Sequence, residues 1–226
     1  GIGPGNAFPV GTTVEEYTIT DVSGNSASCS FTITVNDIEK IAIANCPADI
    51  TLSNNTGVCG AVAGWAAPTA SDNCGINSLT ATHSSGAVFP IGATSVSYTA
   101  TDDAGSSATC SFTVTVEDIE GPTIIQCPSD ILVATDAGSC EAIVYYDTPI
   151  TADNCSGTTM ILTSGMSSGS AFVHGSTSVE YTVLDASGNA AVCSFNVTVE
   201  DDEAPSLLCP ADVVSTECSG LSLIHI

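Results

Sequence analysis

The chain is almost without positive charge. Among 226 residues Lys40 is the single basic side chain against 25 acidic ones, for a formal net charge of −24. Such a surface repels nucleic acid and anionic membranes, repels itself, and leaves cations as its natural partners. The same scarcity removes trypsin-like cleavage sites and leaves no repeated lysine for Lys–Asn isopeptide staples. Histidine is nearly as rare. His83, His174 and His225 occupy non-equivalent positions, none beside a Cys or Ser pattern that would make a triad. With no phosphate loop either, an enzyme is not expected. No apolar run is long enough to span a bilayer, and no helical periodicity survives beyond a turn. C-x-x-C pairs are missing too: the 11 cysteines lie 9 to 38 residues apart. That spacing argues against thiolate metal clusters and for disulfides in an oxidising, extracellular compartment. The opening "GIGPGNAFPVG" is neither basic nor a long apolar stretch and matches the middle of a later repeat. The expectation is a window on a longer exported protein.

What is present is periodic. Phe8, Phe89 and Phe172 are 81 and 83 residues apart, and Tyr17, Tyr98 and Tyr181 keep step with them. Cys29, Cys110 and Cys193 follow the same interval, as do Cys46, Cys127 and Cys209; Cys59 matches Cys140, and Cys74 matches Cys155. A period this regular sets the architecture before any local reading. It divides the chain into the C-terminal part of a repeat (1–40), two complete repeats (41–121 and 122–203) and the N-terminal part of another (204–220). The last six residues, "LSLIHI", fit no repeat position. They are what a transposon-end sequence used in sequencing libraries would encode, so 221–226 are expected to be non-native.

Within a repeat every pattern is β. "CSFTVTV" at 110–116 puts Cys110, Phe112, Val114 and Val116 on one face, and "TSVSYTAT" at 94–101 puts Val96, Tyr98 and Ala100 inward. Period two marks half-buried strands, and "DDAGSS" between them predicts a hairpin turn. Shorter strands are predicted at 48–52, 58–65 and 78–83. Hydrophobic residues make up 43%, too many for disorder. The fold class expected is all-β: tandem immunoglobulin-like or fibronectin-III-like sandwiches.

Small sandwiches with few aromatics have thin cores, for which covalent staples compensate. Four cysteines per repeat allow three pairings. If the first and last strands run the same way, both begin at the same end of the domain. Cys46 can then meet Cys110, and Cys127 can meet Cys193. The remainder pairs Cys59 with Cys74 and Cys140 with Cys155. That second set carries a tension, because Cys59 should begin a strand whose far end lies near Cys74.

Cys46-Pro47, Asp72-Asn73, "FPIGAT" at 89–94, "YTATDDAGS" at 98–106 and "CSFTVTVED" at 110–118 resemble the hyalin repeat (HYR) family over almost the whole chain. The later repeat departs from it, with "FVHGST" placing His174 where Ile91 sits. The resemblance implies an extracellular immunoglobulin-like module of adhesion and matrix proteins, often in arrays. The additional Cys59 and Cys74 look like the bacterial form of the repeat.

The acids gather where modules would meet. Glu117, Asp118 and Glu120 leave one repeat, and Asp153, Asn154 and Asp185 are presented by the next. The preceding seam would collect Asp37 and Glu39 with Asp72, Asn73, Asp102 and Asp103. Glu200, Asp201, Asp202 and Glu203 form the last connector. Crowded carboxylates call for a cation, and Ca²⁺ takes six to eight oxygens of this kind. The function expected is structural: a filament, stalk or matrix fibre with calcium-stiffened junctions, its partners neighbouring repeats or other copies. The alternative is the spacer or recognition region of an adhesin that binds glycans or proteins. A third is an accessory region of a secreted enzyme. "NNT" (54–56), "NCS" (154–156) and "NVT" (196–198) are formal glycosylation sequons.

Overall fold

The computed structural model describes residues 2–3 and 5–209. Cys218 and the 221–226 tail lie outside them. By contact the chain forms two units, one of residues 1–125, 150–161 and 182–192, the other of 126–149, 162–181 and 193–226.

In the first unit, a four-stranded sheet runs in the order Ile50–Ser53, Ser107–Glu117, Gly92–Thr101, Ser78–Ala81. Its central pair is the predicted hairpin, antiparallel with Cys110 opposite Tyr98 and Phe112 opposite Val96. The turn closes where Asp102 Oδ1 accepts the Ser106 amide at 2.8 Å. Ile50–Ser53 lies parallel to the closing strand, Ile50 beside Val114. That parallel pairing puts the first strand and the last in the same direction. Gly60–Val62 pairs with Val88–Pro90, and Ala42–Ala44 with Thr69–Ser71. A Cβ on Gly60 would lie 2.5 Å from the Phe89 carbonyl oxygen, so only glycine lets this pair approach.

The alternation read from the sequence becomes the core. Val96, Tyr98, Phe112, Val114 and Val116 from the large sheet pack on Ala61, Ala63 and Phe89. Fully burying a side chain of this kind stabilises by about 1.5–3 kcal/mol. Trp65 stands edge-on to Phe89 and Phe112 and donates from Nε1 to the Tyr98 hydroxyl at 2.8 Å. The partial repeat at the start is a lone hairpin, Gly11–Thr20 on Ser26–Val35. Tyr17 and Phe31 stack there but stay 47% and 50% exposed, whereas their equivalents Tyr98 and Phe112 are 6% and 4%.

In the second unit, Ile131–Ala134 runs parallel to the closing strand with Ile131 beside Val197, and Glu141–Val144 pairs with Ser170–Val173. Ala142, Val144, Phe172, Val179, Tyr181, Phe195, Val197 and Val199 are buried. Tyr146 takes the place of Trp65, edge-on to Phe195 and Tyr181. Its hydroxyl donates to the Met166 carbonyl, and burial pushes its acidity well below that of ordinary tyrosine.

Cys46 is bonded to Cys110 and Cys127 to Cys193, with Cα atoms 6.0 and 5.8 Å apart. The pairs expected from the remaining cysteines are corrected. Cys59 is bonded not to Cys74 but to Cys155 of the next repeat, 96 residues on, with Cα atoms 4.9 Å apart. Cys74 and Cys140 are free and exposed. The tension in the sequence reading is the reason. Cys59 sits beside its repeat's exit connector, where Gly57 donates to Glu120. Cys74 sits by the connector that leads in, against Asp37. Opposite ends of one sandwich cannot meet, but successive repeats can.

Candidate cation-binding junctions

Each acidic connector is a local turn. Asp37 Oδ1 accepts the Glu39 amide (3.1 Å), Asp118 Oδ1 that of Glu120 (3.2 Å), and Asp201 Oδ1 that of Glu203 (3.1 Å). The Asp-Asn loops do the same: Asp72 Oδ1 holds the Cys74 amide and Asp153 Oδ1 the Cys155 amide, both at 2.8 Å. These are Asx turns, in which a short acid satisfies a backbone donor two residues on. Each commits one carboxylate oxygen and leaves the other.

Four of these aspartates come together in two clusters. Ligand atoms of Asp37, Asp72 and Cys74 lie within 4.8 Å of one another, as do those of Asp118, Asp153 and Cys155. The Oδ2 atoms of Asp37, Asp72, Asp102, Asp118 and Asp153 are buried without a hydrogen-bond partner. Asp102 and Asp118 as residues are only 2% and 8% exposed. A buried, unpartnered carboxylate oxygen is costly, and neighbouring carboxylates raise the cost further.

The hairpin turns, "DDAGS" at 102–106 and "DASGN" at 185–189, differ in how their leading aspartate is held. Asp185 Oδ1 accepts the amides of Ser187 and Asn189, and its Oδ2 accepts Asn189 Nδ2 at 2.8 Å. The same Asn189 amide group donates to the carbonyls of Asp118 and Glu120, both at 3.1 Å. Burial pushes the Asp185 carboxyl upward, but these hydrogen bonds outweigh it and hold it below the ordinary value. In the preceding repeat Ser106 stands where that asparagine would be, and Asp102 Oδ2 is unpartnered.

Of the residues expected at the seams, the structure gathers Asp37, Asp72 and Asp102 at one, and Asp118, Asp153 and Asp185 at the other. Glu39, Asn73, Asp103, Glu117, Asp201 and Asp202 are exposed. Asn154 donates to the Val58 carbonyl at 3.3 Å, a contact between repeats. Glu120 is occupied elsewhere, its carboxylate clamping the Gly57 amide (2.8 Å) and Asn54 Nδ2 (3.2 Å). Glu203 clamps Gly138 likewise at 3.0 Å. The sequence reading missed Asn54, Asn189 and this clamp. The recurring Asp-x-Glu of "NDIE", "EDIE" and "EDDE" was its visible signal.

The donor set is oxygen. Partial loss of solvent, then the neighbouring Asp37 carboxylate, push the Cys74 thiol upward, away from the thiolate a soft metal needs. Cys155 is committed to its disulfide. What remains suits hard cations.

The HYR domain model matches residues 1–35, 37–116 and 117–199. The chain is 34% identical to the Hyalin of Strongylocentrotus purpuratus over 99% of its length, covering 19% of that protein. It is 35% identical to the Hyalin of Lytechinus variegatus over 94% of its length, covering 42% of it. It is also 33% identical over 87% of its length to the sushi, von Willebrand factor type A, EGF and pentraxin domain-containing protein 1 of Rattus norvegicus, of which it spans 6%. The chain therefore spans less than half of the relatives it matches. It belongs to the HYR domain family, as an extracellular repeat segment of the adhesion or structural kind.

Proposed function

We propose that the chain is a segment of an extracellular filament, stalk or matrix fibre whose modules are stiffened by Ca²⁺ at their junctions. The observation that carries this reading is the set of five buried Oδ2 atoms, on Asp37, Asp72, Asp102, Asp118 and Asp153, that no protein donor reaches. Every one belongs to an acid whose other oxygen, or whose neighbours, serve a connector or loop at a repeat boundary. A carboxylate arranged for folding alone would use both oxygens or point to water. Ca²⁺ accepts flexible cages of carboxylates, carbonyls and water, and would turn mutual repulsion into attraction. Its partners in this role are neighbouring repeats or other copies of the protein.

Calorimetric titration of the full chain with Ca²⁺, before and after a chelator, tests the binding. Small-angle scattering under the same conditions tests the stiffening. The expected result is saturable heat together with a longer, narrower distance distribution in Ca²⁺. No heat and an unchanged profile would overturn the proposal.

A further inference from the structure

Cys59 and Cys155 are joined across a repeat boundary, while Cys140 and Cys74, which hold the same places in their own repeats, are free. The loops that carry the free thiols are built like those that carry the bonded ones. Before Cys59, the Asn55 amide donates to the Gly60 carbonyl (2.7 Å) and the Val58 amide to the Asn55 carbonyl (2.8 Å). Before Cys140, the Asp136 amide donates to Glu141 and the Ser139 amide to Asp136, both at 2.8 Å. Gly57 and Gly138 turn both loops with φ of 70° and 72°, and a connector glutamate clamps each. Cys74 matches Cys155 as closely, each amide held by the aspartate two residues earlier at 2.8 Å.

We propose that the disulfide across the seam recurs along the array, and that Cys140 and Cys74 are its unfilled halves. Cys140 takes a cysteine of an adjoining HYR module that stands in the place of Cys155. Cys74 takes one that stands in the place of Cys59. The adjoining module belongs either to the same polypeptide or to a second copy, and the chemistry is the same in both. A glutathione-type disulfide is the oxidant. One protein thiolate displaces glutathione to form a mixed disulfide, and the second thiolate displaces the other glutathione. Two protein thiols and one oxidised glutathione thus give one protein disulfide and two reduced glutathiones. This inference does not require the cation: the carboxylates enter it only by holding loop amides.

The test inserts a second copy of residues 41–203 in frame after Glu203 of the full chain. The protein is oxidised from the reduced state in a glutathione couple and mapped without reduction. The expected result is a peptide joining Cys140 to Cys74 of the inserted copy, in a yield independent of protein concentration. Two fewer thiols per chain are alkylated. In that protein Cys140→Ser frees the inserted Cys74 for alkylation while the Cys59–Cys155 peptide persists. In the chain without the insertion, a Cys140–Cys74 bond between copies, rising with concentration, would support the proposal with a second copy as the source. Cys140 recovered alkylated or capped by glutathione in both proteins, beside a formed Cys59–Cys155 bond, would overturn it. So would absence of the Cys59–Cys155 peptide itself.

Discussion

The two junctions use the same acids in the same turns and close in different ways. At the later one a disulfide, Cys59–Cys155, crosses the boundary, and the Asn189 amide ties Asp185 to the Asp118 and Glu120 carbonyls. At the earlier one Cys74 is a free thiol, Ser106 replaces the asparagine, and Asp37, Asp72 and Asp102 each keep an unpartnered oxygen. Two such oxygens, on Asp118 and Asp153, remain at the later junction. The difference teaches that a seam of like charges can be held by covalent and amide contacts or by a counter-ion. The earlier seam has fewer of the former and therefore depends more on the latter.

Removing the covalent contact should have the largest effect. Cys59→Ser with Cys155→Ser is expected to cost about 2–4 kcal/mol, since the bond closes a long loop. A urea midpoint would report the loss. Hydrogen exchange would place it, rising at position 155 and at Ile119 and staying level at Glu39 and Cys74. An unchanged midpoint would break the comparison, because the covalent difference would then have no consequence.

Much of this was legible in the sequence. Alternation in "CSFTVTV" and "TSVSYTAT" gave the central hairpin and the inward Phe112, Val114 and Tyr98, because a half-buried strand writes its burial in period two. Asp37, Asp72, Asp118 and Asp153 could be placed at boundaries because the period fixes which loops fall at which end. Cys59 could not be assigned, for a bond between repeats looks the same in sequence as a bond within one. The expected Cys59–Cys74 pair came from treating each repeat as closed. Glu120 was read as a ligand because its charge is visible and its clamp on Gly57, a tertiary contact, is not. Glu39, Glu117 and Asp103 belong to the same connectors and turns as the converging acids, so the repeat pattern alone does not separate them. Alternation and turn geometry send them to water.

Charge removal gives opposite signs at the two seams. Asp102→Asn retains the Oδ1 that accepts the Ser106 amide and replaces the unpartnered Oδ2 by an uncharged amide nitrogen. In chelator this variant is expected to gain on the order of 1 kcal/mol at neutral pH, and to lose Ca²⁺-dependent stabilisation. Asp185→Asn sets an amide against the Asn189 amide, donor facing donor, and is expected to lose about 1–3 kcal/mol with or without Ca²⁺. Thermal melts of both, in chelator and in Ca²⁺, check the four outcomes together. Equal shifts would mean that the asparagine is not what distinguishes the junctions.

Ser106→Asn asks whether the earlier seam can be given the later one's amide. The new Nδ2 would reach Asp102 Oδ2 as Asn25 reaches Asp21 and Asn189 reaches Asp185, both recorded in this chain at 2.8–2.9 Å. The expected gain in chelator is about 0.5–1.5 kcal/mol, shrinking in Ca²⁺ as amide and cation compete for one oxygen. A gain that persists undiminished in Ca²⁺ would detach Asp102 from the cation.

The smallest effect is a pH dependence confined to one turn. Burial raises the Asp185 carboxyl, and the hydrogen bonds from Asn189 and Ser187 more than reverse that, so the folded value lies below the ordinary 3.8. A carboxylate depressed in the folded state binds its proton more weakly there than when unfolded. Its contribution is complete above 3.8 and is lost as pH falls through the lower folded value. Amide exchange at Ser187 and Asn189, corrected for intrinsic rates, should therefore hold steady down to about pH 4 and accelerate below it. Asp185→Asn should flatten the profile, because an amide has no proton to take up there. Acceleration that begins well above 3.8 would mean that the turn is held by some other titrating group, and the asparagine bridge would lose its place in the comparison.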